Sequence, residues 1–280
     1  MVGWQVQQRA CAVMSGLEQD WCRNVSPAQP CPLTFRDTVS YDKDMPIVTI
    51  AAAKGGVGKT TLAYELAAAL DGVLIDFDWD FGGATRMWGY NPSAFKRAPL
   101  LDALESGPDG KPPMPRTRPH QPALVPSHGD LAASSIDASL VADCLSAWTA
   151  AWDDRVVVVD THPGANPLTD GAIEVADLMV VPVVLGSREM DALEGMVADF
   201  REYRLLLVPN MVPRLPPKRH FDRFKQLVNG QPVAPPVSEH RWIRRRLRRS
   251  AITLQPNPGQ QLTQAADEYR AVAKAVENAL

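Results

Sequence analysis

The chain has 280 residues, 45% of them hydrophobic and 22% charged. That balance supplies a buried core and excludes a disordered, collagen-like or small disulfide-stapled protein. Lys+Arg 29 against Asp+Glu 32 leaves a net charge of -3, which excludes a surface built wholly to coat nucleic acid, and at roughly 100 to 200 residues per domain the length allows one large domain or two small ones.

Residues 1–45 differ from the rest. Val6, Ala10, Met14, Leu17, Trp21 and Val25 recur at three- or four-residue steps and would line one face of an amphipathic helix, which the proline-bearing stretch Ser26 to Pro32 then ends. This extension either docks on the body or a partner, or is loosely attached, or lies upstream of a true start at Met45. A single helix is too little for a helix-turn-helix. Glu18 and Asp20 interrupt any apolar leader, and the longest apolar run, Leu178 to Leu185, is broken by Pro182 and far short of the roughly 18 residues of a bilayer span. A soluble, cytoplasmic protein without membrane contact is therefore expected. Cys11, Cys22, Cys31 and Cys144 form no C-x2-C pair and read as reduced structural thiols.

From Met45 onward, β-rich runs alternate with helical ones. Ile47 to Ala52, Val73 to Ile75, Ala123 to Val125, Val156 to Val159, Leu178 to Val184 and Leu205 to Val208 are predicted strands, several being continuous apolar runs of the kind buried on both faces. Thr60 to Leu70, Ile136 to Trp152, Ser187 to Tyr203, Arg219 to Val228 and Gln261 to Ala279 are predicted helices. The alternation implies βαβ units: an α/β domain over residues 46–280 with a mostly parallel, twisted sheet and helices on both faces. The proline-rich stretch Gly107 to Pro122 is expected to be a surface loop.

Between the first strand and the first helix of this domain lies Ala53-Lys54-Gly55-Gly56-Val57-Gly58-Lys59-Thr60-Thr61. Glycines there let backbone N–H groups turn inward around phosphate oxygens, while the helix beginning near Thr60 points its positive end at the anion. Lys59 adds a point charge near the β- and γ-phosphates and the Thr60 hydroxyl can ligate Mg2+. The loop matches G-x-x-x-x-G-K-S/T except that Ala53 replaces the first glycine.

Lys54, a second lysine ahead of Lys59, makes the loop a deviant Walker A, and K-G-G-V-G-K-T-T resembles the ParA/MinD family of P-loop ATPases. The resemblance implies the P-loop NTPase fold, with Gly55, Gly56, Val57, Gly58, Lys59, Thr60 and Thr61 binding ATP and Mg2+. It also implies that Lys54 reaches across an ATP-sandwiched homodimer to stabilise charge at the partner's transferred phosphoryl group. Leu74-Ile75-Asp76-Phe77-Asp78 is similar to the family's D-x-D-P-Q-G motif. There Asp78 would orient the attacking water and Asp76 support the Mg2+ shell, although Trp79 and Asp80 replace proline and glutamine. Val156 to Val159 ending in Asp160 looks like a Walker B strand, whose carboxylate holds Mg2+ through water. Thr161-His162-Pro163-Gly164 then departs from D-x-P-P-S at His162, read as a substitution packed near the switch rather than a general base. Asn210 falls where relatives set a side chain against the adenine edge; a turn-forming asparagine is the other reading.

Arg241, Arg244, Arg245, Arg246, Arg248 and Arg249 make one strongly basic stretch. It resembles the family's I-P-R-N-x-R-x-S segment, which implies non-specific binding of double-stranded DNA by phosphate neutralisation and counterion release. The segment could also be a solvated helical face, with Ile243 and Leu247 packed four residues apart against the body, a reading compatible with DNA contact. The tail from Gln261 to Leu280 lacks the basic amphipathic pattern of a membrane-targeting helix, and Cys144 alone cannot bridge a cluster. The resemblance therefore narrows to a ParA-type DNA-partitioning ATPase, nucleoid-associated when ATP-bound and stimulated by a ParB-like partner. The alternatives are an ATP-switched positioning protein for a protein assembly, or a weakly hydrolysing nucleotide-binding paralogue.

Overall fold

The computed structural model describes residues 45–80, 83–91, 98–152, 155–228, 230–247, 249–256 and 259–280. The amphipathic helix expected within residues 1–45 lies outside the described residues. In chain order the elements are β1 (Ile47–Ile50), α1 (Lys59–Ala69), β2 (Val73–Asp76), α2 (Ala84–Trp88), α3 (Pro99–Glu105), β3 (Ala123–Val125), α4 (Ala138–Thr149), β4 (Val157–Asp160), α5 (Pro167–Glu174), β5 (Leu178–Val183), α6 (Ser187–Asp199), β6 (Leu205–Pro209), α7 (Lys218–Val228) and α8 (Gln260–Ala279). No described helix is long and apolar enough to cross a membrane.

The strands pair in the order β3-β2-β4-β1-β5-β6, all in parallel. Every strand residue is buried, as expected for a parallel sheet covered on both sides. The period of two along each strand sorts side chains between the layers. Val48, Ile50, Leu74, Val158, Val180 and Leu206 pack under α1 and α8. Ile47, Val73, Ile75, Val157 and Val159 pack under α3, α4 and α5, and Met179, Val181, Leu205 and Leu207 under α6 and α7. Helix α1 is buried from Leu62 through Ala68, the pattern of a helix covered all round.

The chain leaves β1 toward β2 in one direction along the sheet and leaves β4 toward β5 in the other, and β1 and β4 are neighbours. Their carboxyl ends therefore flank a topological switch point, where open α/β sheets bind ligands.

Several boundaries differ from those read in the sequence. Helix α4 starts at Ala138 because the Asp137 carboxylate caps it by accepting from Leu140 N. Helix α6 stops at Asp199, and a turn held by the edge-on Phe200 and Tyr203 rings follows. Helices α2, α3 and α5 were not anticipated. They are short, and α3 and α5 open on Pro99 and Pro167, residues that read as loop signals but suit a first helical position.

Candidate functional site

The loop from Ala51 to Gly58 joins β1 to α1 at the switch point. Gly56 and Gly58 sit at φ 80 and φ 90, left-handed values that cost a glycine little. At Gly58 space excludes a side chain as well, since an added Cβ would stand 2.5 Å from Asn210 Nδ2. Gly58 caps α1 without any side-chain hydrogen bond, and the first turn carries no acid. The helix's orphan N–H groups and its positive end therefore remain open to an anion.

Sheet register builds the acidic half of the site. Leu74 and Val158 face α1, so two residues later Asp76 and Asp160 face it too. The β2–β4 pairing sets Asp76 directly beside Asp160. Both are fully buried. Asp76 accepts from Thr85 N and Oγ1, each at 2.6 Å, and from Asp78 N at 3.0 Å. Neither oxygen of Asp160 has a hydrogen-bond partner among the described residues. Burial pushes both carboxyls up, most strongly at Asp160, where the charge of Asp76 adds to burial and the nearby Thr60 hydroxyl only partly offsets it. Burial likewise raises the half-buried Asp78.

Lys59 is 5% exposed. Desolvation lowers its pKa, while the charges of Asp160 and Asp78 act the other way. A cation, a hydroxyl and an unsatisfied carboxylate thus converge at the mouth of the glycine loop. Such hard oxygen donors fit Mg2+, and the open amides with Lys59 fit a polyphosphate.

The remaining predicted residues are placed as follows. Val57 is buried; Gly55, Gly56, Thr60 and Thr61 are at least partly accessible along the loop and first turn. The Lys54 ammonium donates to Arg188 O at the start of α6, 2.7 Å away. Asn210 is buried, and its amide donates to Val57 O at 2.8 Å. The side chain braces the loop and still lines a cavity of about 280 Å3, walled also by Thr61, Met211, Ser238, His240 and Tyr269. Met211 holds φ 52 there, a strained value for a non-glycine residue.

The arginines divide. Arg241, Arg244 and Arg245 are exposed and form part of the wall of the same cavity, and Arg244 Nη2 lies 3.6 Å from Met211 Sδ. Arg246 donates to Gln255 Oε1 at 2.7 Å, and exposed Arg249 lies against Gly89 O. Arg248 lies outside the described residues. The expected helical face is corrected: among the described residues of this segment only Ile243–Arg245 forms a 3-10 turn, and Leu247 is 95% exposed rather than packed against the body.

Sequence reasoning missed those supports. Tyr64 OH on α1 donates to Arg249 O at 2.7 Å. Glu65 accepts from Ile252 N, Thr253 N and Thr253 Oγ1, and Arg270 Nη2 on α8 donates to Thr253 O at 2.6 Å. A lone carboxylate within the apolar run Leu62 to Ala68 was the available sign of Glu65. Nothing marked Thr85, the partner of Asp76.

Residues 45–210 match the family described as AAA domain, AAA_31. The chain is 30% identical over 176 residues to the chromosome-partitioning ATPase Soj of Thermus thermophilus, covering 59% of this chain and 65% of that protein. It is 32% identical over 171 residues to the chromosome partitioning protein ParA of Caulobacter vibrioides, covering 55% and 61%. The matched segment thus spans less than two thirds of either relative. In fold it is similar to an ATP complex of McdA from Cyanothece, with a TM-score of 0.68 at 17% identity, over 84% of this chain and 97% of that one. The chain therefore belongs to the AAA domain family AAA_31, as a ParA-type P-loop protein with the deviant Walker A loop.

Proposed function

We propose that this chain is a Mg-ATP-dependent partitioning ATPase whose nucleotide state switches its hold on DNA. The observation that carries the reading is the fully buried Asp160 carboxylate at the end of β4, which has no geometric hydrogen-bond partner among the described residues and has only the Thr60 hydroxyl and the Lys59 charge nearby to offset its burial. An unsatisfied buried carboxylate costs several kcal/mol, and a site that keeps one is made whole by a cation. Thr60 and Asp160, with Asp76 behind them, would hold Mg2+, which supplies neutralisation of phosphate charge. Lys59 and the amides from Gly55 to Thr61 would bind the phosphates, Asn210 the base side and Asp78 the attacking water.

In this reading Lys54 leaves Arg188 O for the phosphates of a second copy, so hydrolysis follows dimerisation. Arg241, Arg244, Arg245, Arg248 and Arg249 neutralise DNA phosphates, and a ParB-like partner stimulates hydrolysis and release. The names and functions of the Soj and ParA relatives support the partitioning class.

The test is binding to mixed-sequence duplex DNA across a salt series with ATP, ADP or no nucleotide. Binding only with ATP and falling steeply with salt is the expected result. Hydrolysis and dimerisation without DNA affinity at low salt would transfer the arginines to a protein partner. That second reading, a positioning ATPase for a protein assembly, is favoured by the commitment of Arg246 to Gln255, which leaves less basic surface than the sequence counts.

A further inference from the structure

The sequence departs from the D-x-D-P-Q-G and D-x-P-P-S patterns at Trp79, Asp80 and His162, and in the folded chain these three residues are one another's neighbours. The Trp79 and His162 rings stack with centroids 4.1 Å apart and planes 4° from parallel. His162 Nε2 lies 3.2 Å from Asp80 Oδ2. We infer that Trp79, Asp80 and His162 are positioning residues for Asp78, tying the loop after β2 to the loop after β4. The inference rests on the hydrolytic reading above, in which Asp78 orients water.

Each end of the tie is anchored. Trp79 packs partly against the core beneath α3 and α4. The His162 carbonyl accepts from Thr169 Oγ1 at the start of α5, 3.3 Å away. From Asp80 the chain of contacts runs inward: Asp80 N donates to Asp78 Oδ1 at 3.2 Å, and Asp78 N donates to Asp76 Oδ1 at 3.0 Å. The Asp78 carboxylate is thus gripped by the backbone of the residue whose side chain is held from the opposite loop. Proline at either ring position would remove the aromatic face, and at His162 the ring nitrogen as well. The substitutions therefore form one interdependent set rather than three separate changes. Asp78, Asp80 and His162 also present ligand atoms within 4.8 Å of one another. The imidazole is already engaged by Asp80, however, so the cluster is accounted for without a cation.

The tie acts on orientation at the reacting centre, not on the phosphate cradle, so it predicts a loss in kcat with KM for ATP unchanged. His162→Ala and Trp79→Ala should each lower kcat about 10-fold, the scale of a modest misplacement of a catalytic group. The double variant should fall little further, because either substitution alone breaks the tie. His162→Phe keeps a stacking ring and should recover part of the activity. Asp80→Asn, at an exposed position, tests the polar contact without threatening the core.

Single variants with wild-type kcat, multiplicative reductions in the double variant, or KM rising as kcat falls would each overturn the inference. A second readout stands apart from hydrolysis. In nucleotide-free protein, His162→Ala should speed amide hydrogen exchange in peptides covering Asp76 to Asp80, on the other loop. Unchanged exchange there removes the tie even if the wild type proves inactive. A wild type that binds ATP but never hydrolyses it, with exchange increased in the variant, removes the hydrolytic reading and leaves the tie standing.

Discussion

The acidic rim at the ends of β2 and β4 and the arginine-bearing segment 241–249 are both charged, yet the fold places them by opposite means. The rim is positioned by backbone: strand parity turns Asp76 and Asp160 to the α1 face, and register sets them side by side. Among its described residues the arginine segment has a single 3-10 turn of its own. It is flanked by segments held from outside, through Tyr64 and Glu65 on α1 and Arg270 on α8. The comparison teaches that a buried charge needs a rigid lattice around it, whereas a surface charge needs only anchors at its ends. It also shows that α1 serves both regions, presenting Lys59 and Thr60 at its start and Tyr64 and Glu65 one turn on.

The largest expected effect tests the rim. Lys59→Ala should reduce single-turnover ATP hydrolysis by about 1,000-fold, the upper scale for deleting a preorganised electrostatic group, while leaving the melting temperature close to that of the wild type. A change confined to KM would show that Lys59 only binds.

Next is the shared helix. Glu65→Ala leaves the donors of Ile252 and Thr253 unsatisfied and should cost about 3 kcal/mol in urea unfolding, whereas Glu65→Gln keeps an acceptor and should cost less. If the Ala variant keeps full stability, the two regions are not coupled through α1.

A smaller effect concerns pH. Burial pushes the Asp76 carboxyl up to about 7 and raises Asp160 as well. The folded chain then holds these protons to higher pH than the unfolded chain. Its stability without nucleotide should fall as pH rises from the ordinary aspartate range through about 7. Asp160→Asn should flatten that slope and be more stable than the wild type at pH 8. Thermal melts with Asp160→Asn beside wild type at pH 5 and pH 8 check the sign.

The smallest effects separate the arginines. Arg245→Ala should make the salt slope of DNA binding shallower by about 0.9, the increment for one neutralised phosphate, without changing stability. Arg246→Ala should instead show its effect in unfolding, through the hydrogen bond to Gln255. Equal effects of the two on DNA would erase the division between outward and committed arginines.

Legibility followed the range of the interactions. The core strands were readable because buried parallel strands are continuous apolar runs, as in Leu178–Val183. The longer helices were readable except at their ends, where caps such as Asp137 decided. Helices opening on Pro99 and Pro167 were not, because a proline reads as a breaker until a cap and a packing surface are known. The glycine loop, Lys59 and the strand-end carboxylates were legible as local patterns. The contact between Trp79, Asp80 and His162 was not, since it joins two loops far apart in the chain.

The sequence by itself determined the phosphate loop, the class of sheet and the presence of a carboxylate at the ends of β2 and β4, because each is written in a few consecutive residues. Only the tertiary structure decided that Asp160 lacks a partner among the described residues while Asp76 has Thr85. It likewise decided that three of the arginines wall a cavity beside Asn210 while Arg246 is held by Gln255. Those outcomes depend on strand register and helix packing between distant segments, where the backbone places side chains without regard to what lies beside them in sequence.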